Sequence, residues 1–170
     1  MKTTPQNRIY LFLAALLFLF AACDKNCLSE QTTTISQAAW HQDSVAFITV
    51  PITDTLSHCS IILSLRHNDD YPWNNIILSI TAKSPSGAVM RDTVEYRLTN
   101  EKEIWNGRKS GKWIDHRLAF RTDVQFLQSG NYEFSITHLM RNAKQAVVSP
   151  VVLQGVGAVG VRIEKATSWE

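Results

Sequence analysis

The sequence predicts an all-β domain, specifically a two-layer antiparallel β-sandwich of the jelly-roll or immunoglobulin-like type. Short segments alternate apolar and polar residues with a period of two, and turn-forming residues separate them at intervals of roughly ten residues. No segment after residue 22 sustains the periodicity of an α-helix. With 170 residues, the chain is long enough for one domain with a proper hydrophobic core.

Residues 1–22 are expected to form a lipoprotein signal peptide, which is cleaved off. Lys2 and Arg8 precede an unbroken apolar run of twelve residues, Ile9–Phe20. This length suits the apolar region of a secretory signal and is too short to span a bilayer as a mature helix. The next residues resemble a bacterial lipobox, in which Cys23 is acylated after cleavage: Phe20-Ala21-Ala22-Cys23. An ordinary cleaved signal and an uncleaved N-terminal anchor are the alternatives.

The mature chain is expected to carry no net charge. The whole sequence has 17 Lys and Arg against 15 Asp and Glu, and the signal peptide contains two of the basic residues and no acid. A neutral domain without a basic run gives no electrostatic basis for binding nucleic acid, so we expect no such partner. Acyl chains on Cys23 would instead hold the chain firmly on a membrane.

Residues 23–39 are polar and lack hydrophobic periodicity, and we interpret them as a lipidated, flexible tether that precedes a β-sandwich domain over residues 40–166. Cys27 and Cys59 lie in a compartment where disulfides are permitted. A bond between them would pin the tether to the domain. The alternative, which we prefer, is an exposed Cys27 and a small, buried, apolar Cys59.

The strands are expected in short runs along residues 45–164. Pro51 predicts that the first strand lies at a sheet edge. Ser84-Pro85-Ser86-Gly87 predicts a tight hairpin, because proline suits the second position of a turn and glycine the fourth. The expected strands are Val45–Ile52, Cys59–Arg66, Asn75–Ala82, Val89–Leu98, Trp113–Arg121, Tyr132–Ile136, Val147–Leu153 and Val156–Glu164.

The loop between the second and third strands concentrates residues that could bind a metal. His67, Asp69 and Asp70, with Asp115 and His116 as further contributors, offer ligands for a hard cation or a transition metal. Their spacing matches no defined ligand pattern, and polar residues in such a loop are usually solvated turn formers. We therefore expect no metal and no cofactor.

We also expect no catalytic residues. Asp69 or Asp70 with Asp115 or Glu103 could form a carboxylate pair, but the separation that decides this chemistry is not readable from sequence. Hydrolase, phosphate-binding and zinc-protease motifs are absent from the sequence. Residues 155–160 superficially match a dinucleotide fingerprint without a following helix, and favour a strand that another backbone approaches closely.

Aromatic residues near the connections suggest a carbohydrate-binding module as an alternative function. Tyr71, Trp73, Trp105 and Trp113 could present ring faces to a sugar. The competing interpretation is that Trp73 and Trp113, together with Trp40, cap the ends of the core.

Taken together, several segments resemble the gliding motility lipoprotein GldH family of Bacteroidetes. The clearest is Leu65–Asn75, which is similar to a family pattern L-R-H-x-x-x-Y-P-[FYW]-x-N. One connection departs from the family, since Ile104–Gly111 has fewer glycines than the family's equivalent. The further matching segments are Trp40–Asp43, Pro85–Gly87, Asp92–Val94, Trp105-x-Gly107, Gly130-x-Tyr132-x-Phe134, Met140-Arg141 and Val159–Lys165.

The resemblance implies a non-enzymatic lipoprotein of the cell envelope that serves gliding and the associated type IX secretion machinery as a structural or protein-interaction subunit. Its expected partners are other proteins of that machinery, and Arg66, His67, Tyr71 and Trp73 form the candidate interaction surface. Only one acid follows Cys23 directly, which favours a domain facing the periplasm. We expect the outer rather than the inner membrane.

Overall fold

The computed structural model describes residues 26–141 and 152–166. The predicted signal peptide and Cys23 lie outside these ranges, as does most of the predicted strand Val147–Leu153. Among the described residues, no helix is long and apolar enough to cross a membrane. A 3₁₀ turn, Ser36–Ala38, accompanies the strands β1 (Cys27–Thr34), β2 (Ala39–His41), β3 (Ala46–Ile52), β4 (His58–Asn68), β5 (Asn75–Lys83), β6 (Val89–Arg97), β7 (Arg108–Ser110), β8 (Trp113–Gln125), β9 (Gly130–His138), β10 (Val152–Gln154) and β11 (Val156–Lys165).

The strands form two antiparallel sheets, which confirms the predicted sandwich. One sheet has the order β1-β11-β4-β8-β7 and the other β3-β9-β5-β6, while β10 and β2 pair separately. Without the short strands β2, β7 and β10, the sheets have the orders β1-β11-β4-β8 and β3-β9-β5-β6, and successive strands change sheet except at the β5–β6 hairpin. This is the strand order of a jelly roll, one of the two predicted versions of the sandwich.

The core lies between the sheets and follows the predicted alternation. Ile61, Leu63 and Leu65 of β4 are buried, and so are Ile76, Leu78 and Ile80 of the facing strand β5. The β5–β6 hairpin is also confirmed, with a turn in which the Gly87 amide donates to the Ser84 carbonyl at 2.9 Å. Pro51 lies in β3, which is an edge strand as predicted.

The predicted boundary between tether and domain is wrong, because Cys27–Thr34 already forms β1 of the five-stranded sheet. β1 pairs with β11 from Cys27↔Glu164 to Thr34↔Ala158, and the Ile35 amide continues the contact by donating to the Gly157 carbonyl at 2.9 Å. β1 is an edge strand with polar side chains on both faces. Its stability comes from backbone pairing, which leaves no apolar periodicity in the sequence.

The geometry opposes the Cys27–Cys59 disulfide. Cys27 lies opposite Glu164 and Cys59 opposite Lys165, on the two strands that flank β11. Two strand spacings amount to about 9.6 Å between Cα atoms, whereas a disulfide needs at most about 7 Å. Cys59 is a buried core residue whose Sγ donates to the Ser57 carbonyl at 3.5 Å, and burial raises the pKa of its thiol.

The sandwich has two ends, which we name after residues that they contain. The Cys27 end holds the starts of β1 and β4, the connections at residues 53–57 and 126–129, and the β5–β6 turn. The Tyr71 end holds the connection at residues 69–74 and the segment that links β6 to β8. β4 runs from one end to the other over about 33 Å.

Candidate functional site

The segment that carries the family pattern builds the Tyr71 end. β4 ends at Asn68, whose side-chain oxygen accepts a hydrogen bond from the Asp70 amide at 3.0 Å while its carbonyl accepts one from the Tyr71 amide at 3.2 Å. These bonds form a turn of the kind that asparagine favours. Pro72 disfavours a helical conformation at Tyr71. The chain therefore reverses within a few residues and enters β5 at Asn75.

Tyr71 is buried inside this loop and not on its surface. Its side chain and backbone leave only 2% of the residue exposed, and its hydroxyl donates to the Asn75 carbonyl at 2.6 Å. The ring packs against His67 and Trp73, with centroid distances of 5.0 and 5.7 Å. Burial raises the pKa of the Tyr71 hydroxyl, so the side chain is a neutral hydrogen-bond donor that closes the loop.

His67 and His116 form a buried histidine pair next to Tyr71. Their Nε2 atoms are 3.0 Å apart and their rings stack at a centroid distance of 5.0 Å. The Nδ1 atom of His67 lies 2.9 Å from the Asn68 carbonyl, so it must carry the proton that this acceptor requires. In neutral His67, Nε2 is then an acceptor, and His116 donates from Nε2.

Burial keeps both histidines neutral near pH 7. It lowers the pKa of His67, and it lowers the pKa of His116 to about 4 with a further contribution from His67. A further proton on His67 would go to Nε2, where it would face the Nε2–H of His116, and a further proton on His116 would go to Nδ1; either would place a charge inside the domain. The pair is therefore a structural element of the Tyr71 end at neutral pH.

Trp105 and two glycines complete the cluster. The Trp105 ring meets His67 edge-on at a centroid distance of 4.4 Å. A Cβ atom at Gly107 would lie 2.8 Å from the Asp115 carbonyl oxygen and 2.9 Å from Nε2 of His116, so only glycine lets this connection rest on β8. These contacts give a physical reason for the spacing in Trp105-x-Gly107.

Gly155 fixes the other side of the loop. A Cβ atom there would lie 2.5 Å from the Tyr71 amide nitrogen and 2.8 Å from Oδ1 of Asn68, and the residue has a φ of +88°. Its carbonyl accepts the Asn68 amide at 2.9 Å. Gly155 thus permits the close backbone approach that the glycine-rich segment predicted.

Arg66 points away from the cluster, onto the outer face of the five-stranded sheet. Its Nε and Nη2 atoms donate to the two carboxylate oxygens of Asp115 at 2.6 and 3.1 Å. This hydrogen bonding raises the pKa of Arg66, whose side chain is still 50% exposed. Arg66 and Asp115 are direct neighbours in the β4–β8 register, so the pair follows from the strand pairing.

A polar groove of about 770 Å³ runs beside this ion pair. The groove is lined by small residues from three strands, namely Thr32, Ser64 and Ala158, and by charged side chains around them. Arg162, in the same sheet, is buried. It forms one ion pair with Glu30, at 2.7 Å, and another with Glu164. The charged and amide residues lining the groove are Glu30, Arg66, Asn106, Arg108, Asp115 and Arg117.

The candidate interaction surface needs correction. Arg66 is exposed and Trp73 is half-buried, but His67 and Tyr71 are buried and cannot contact a partner. The prediction was wrong for these two residues. The alternation of β4 places His67 on the same inward face as Leu65, and the turn packs Tyr71 against His67. Sequence reasoning also missed Arg117 and Arg108, which share the groove with Arg66.

The candidate metal ligands do not converge on one site: His67 contacts His116, but the two aspartates of the loop have other partners. Asp69 lies 3.5 Å from Nζ of Lys109, and Asp70 accepts a hydrogen bond from Asn68 at 2.8 Å, while His67 points into the cluster. Within residues 26–141 and 152–166, no three His, Cys, Asp or Glu side chains could jointly hold a metal ion.

The burial of Tyr71 counts against the carbohydrate-binding alternative. It requires aromatic faces presented together, but Tyr71 is buried and the half-buried Trp73 and Trp105 pack against it and His67. Trp40 is fully buried and its Nε1 donates to the Ser44 carbonyl at 2.9 Å, so it is part of the core as the competing interpretation expected.

Fold and site define a jelly-roll domain with a sealed aromatic and histidine cluster at one end and a polar groove beside it. The chain belongs to the GldH lipoprotein family, whose model matches residues 28–163. It is similar to the "Gliding motility lipoprotein GldH" of Flavobacterium johnsoniae, with 31% identity over 160 residues that cover 94% of this chain and 97% of the relative.

A second relative is the "Gliding motility lipoprotein GldH homolog" of Christiangramia forsetii, with 31% identity over 159 residues that cover 93% of this chain and 95% of the relative. The family resemblance read from the sequence is thereby confirmed. Among solved structures, a chain from the "Structure of infectious bursal disease virus Gt strain" is 13% identical to this chain, with a TM-score of 0.24. The match covers 86% of this chain and 38% of the viral chain. A score this low carries no argument about function.

Proposed function

We propose that this chain is a lipid-anchored subunit of the gliding machinery in the cell envelope, and that it acts by binding other proteins of that machinery and not by catalysis. Its family and the names of its two relatives support the link to gliding. The apolar run before Cys23 supports acylation of that residue. The proposal places the domain in the periplasm, on the outer membrane, in association with type IX secretion.

The interaction role is supported by the structure that the family-like segment, Leu65–Asn75, forms. Its histidine, His67, is buried, neutral and hydrogen-bonded to His116 of β8. A general acid or base must instead reach the proton that it transfers. The segment fixes the shape of the Tyr71 end and sets Arg66 in the exposed groove.

The groove is the proposed contact surface for a partner protein. It presents guanidinium groups of Arg66, Arg108 and Arg117 together with the carboxylates of Glu30 and Asp115. Arginine is enriched at protein interfaces, and a mixed-charge surface gives specificity through charge complementarity. Trp73, in the connection at the Tyr71 end, keeps part of its side chain exposed and is a second proposed contact residue.

The test of the anchor combines localisation with phenotype in a gliding strain. Replacing Cys23→Ala should release the chain from the membrane fraction, remove metabolically incorporated fatty acid and reproduce the loss of spreading of a deletion strain. Cys27→Ser is the matched control, since it removes a thiol four positions away and should leave all three readouts unchanged. A Cys23→Ala strain that retains the protein on the membrane and spreads normally would refute the proposal.

A further inference from the structure

The Cys27 end carries exposed apolar side chains at the tips of two neighbouring connections. Leu56, in the β3–β4 connection, is 85% exposed, and Leu127, in the β8–β9 connection, is 88% exposed. Val89, at the start of β6, is exposed as well. A leucine at a loop tip contributes nothing to the core, so apolar side chains at several tips of one end point to an apolar partner.

An apolar cavity continues this surface into the domain. It has a volume of about 340 Å³ and opens between the two sheets next to Leu127. Its walls are mostly apolar and include Ile61, Met90, Phe126 and Phe134. The cavity therefore joins Leu127 and Val89 into one continuous apolar region at this end.

The N-terminus of the fold leaves from the same end. Cys27 pairs with Glu164, and Lys165 pairs with Cys59. The residue before Cys59 in β4, His58, pairs with Gln125, which immediately precedes the Leu127 connection. Leu28 and Phe126 also line one small cavity at this end. β1 therefore starts beside the two leucine-bearing connections.

The chain between the proposed lipid and the fold is short. Only Asp24, Lys25 and Asn26 separate Cys23 from the first residue of β1. Four Cα–Cα steps reach at most about 14 Å, which is close to three strand spacings across the sheet. An acylated Cys23 thus keeps the whole Cys27 end within reach of the bilayer surface.

The acidic side chains named here each lie close to a group that can pair with them. His58 pairs with Asp123 at 2.6 Å and Lys83 with Glu133 at 3.2 Å, while Asp54 lies near Lys165. Such an arrangement provides no net attraction to anionic headgroups. Contact with a membrane would depend on apolar burial of the leucine side chains in the interface.

We infer that the Cys27 end is a membrane-contacting face, and that Leu56 and Leu127 insert into the lipid monolayer that holds the acyl chains of Cys23. The inference rests on the proposed acylation and adds an orientation to it. The sandwich stands on this end, with the Tyr71 end about 33 Å further from the bilayer surface, where its groove faces protein partners.

The test uses the acylated chain in vesicles of phosphatidylethanolamine and phosphatidylglycerol. A spin label is attached in turn to Leu56→Cys, Leu127→Cys and Ile104→Cys, each in a Cys27→Ser background. Ile104 is the matched control because it is also an exposed apolar residue, at 60%, but belongs to the Tyr71 end. Collisional relaxation by oxygen and by a water-soluble nickel chelate reports lipid or aqueous surroundings at each label.

Labels at positions 56 and 127 should show a severalfold higher ratio of oxygen to nickel accessibility than the label at 104. Equal, aqueous ratios at all three sites would overturn the inference even if mass spectrometry and flotation confirm acylation and anchoring. Shielding of positions 56 and 127 from both reagents would overturn it too, in favour of a protein contact or a second copy. A chain that neither carries lipid nor floats with vesicles would refute the proposed anchor and the inference together.

Discussion

The buried histidine pair predicts that the domain loses stability between pH 7 and 4.5. His116 has a pKa of about 4 in the folded chain, because burial and His67 oppose its protonation, and an ordinary value of 6.5 when unfolded. In this interval the unfolded chain binds more protons than the folded one, so the free energy of unfolding falls as the pH falls. At about 1.4 kcal/mol per pH unit below 6.5, His116 alone should account for about 2.5 kcal/mol at pH 4.5.

The assay is urea denaturation of the signal-less Cys23→Ala chain at several pH values between 7 and 4.5. His116→Gln removes the titrating ring while its amide can still donate to Nε2 of His67, so its stability should depend less steeply on pH than that of the parent chain. His41→Gln, at an exposed position of β2, is the control for losing a histidine as such. Equal slopes for His116→Gln and the parent, or a parent whose stability does not change with pH, would refute the assignment of a neutral buried pair.

Two further predictions concern the Tyr71 end and the groove. Gly155→Ala should destabilise the domain by about 2–4 kcal/mol more than Gly87→Ala, since both have positive φ but only the former would drive a Cβ atom into the Tyr71 backbone; equal losses in thermal or urea denaturation would contradict the close approach. Arg66→Met should change the free energy of unfolding by less than about 1 kcal/mol but abolish spreading, whereas Lys83→Met, which breaks another exposed ion pair, should spare both. An Arg66→Met strain that still spreads would refute the proposal that the groove binds a partner protein.

The strands and their inward faces were predictable because both depend on local patterns. Alternation along Cys59–Arg66 identified the core residues of β4, and the proline and glycine of Ser84–Gly87 identified the hairpin. The same alternation, extended two residues past Leu65, places His67 on the inward face. His67 is buried for that reason, and the expectation that it lies on the surface was wrong.

The site itself depends on pairings that no local pattern contains. His67 and His116, like Arg66 and Asp115, are 49 residues apart and meet only through the register of β4 against β8. β1 escaped prediction for a related reason, since an edge strand held by backbone bonds can carry polar residues on both faces. Strand order could not be derived from one sequence, although it decides which side chains share the groove.

The most direct test of the central claim is photocrosslinking from the groove in intact, gliding cells. A benzophenone amino acid at Arg117, an exposed groove residue, should yield an adduct with another envelope protein that mass spectrometry can identify. The same group at Phe47, exposed on the outer face of β3 in the opposite sheet, should not yield that adduct. The account predicts that Cys23→Ala abolishes the Arg117 adduct together with spreading. Cells that spread normally without any protein adduct from Arg117 would contradict it.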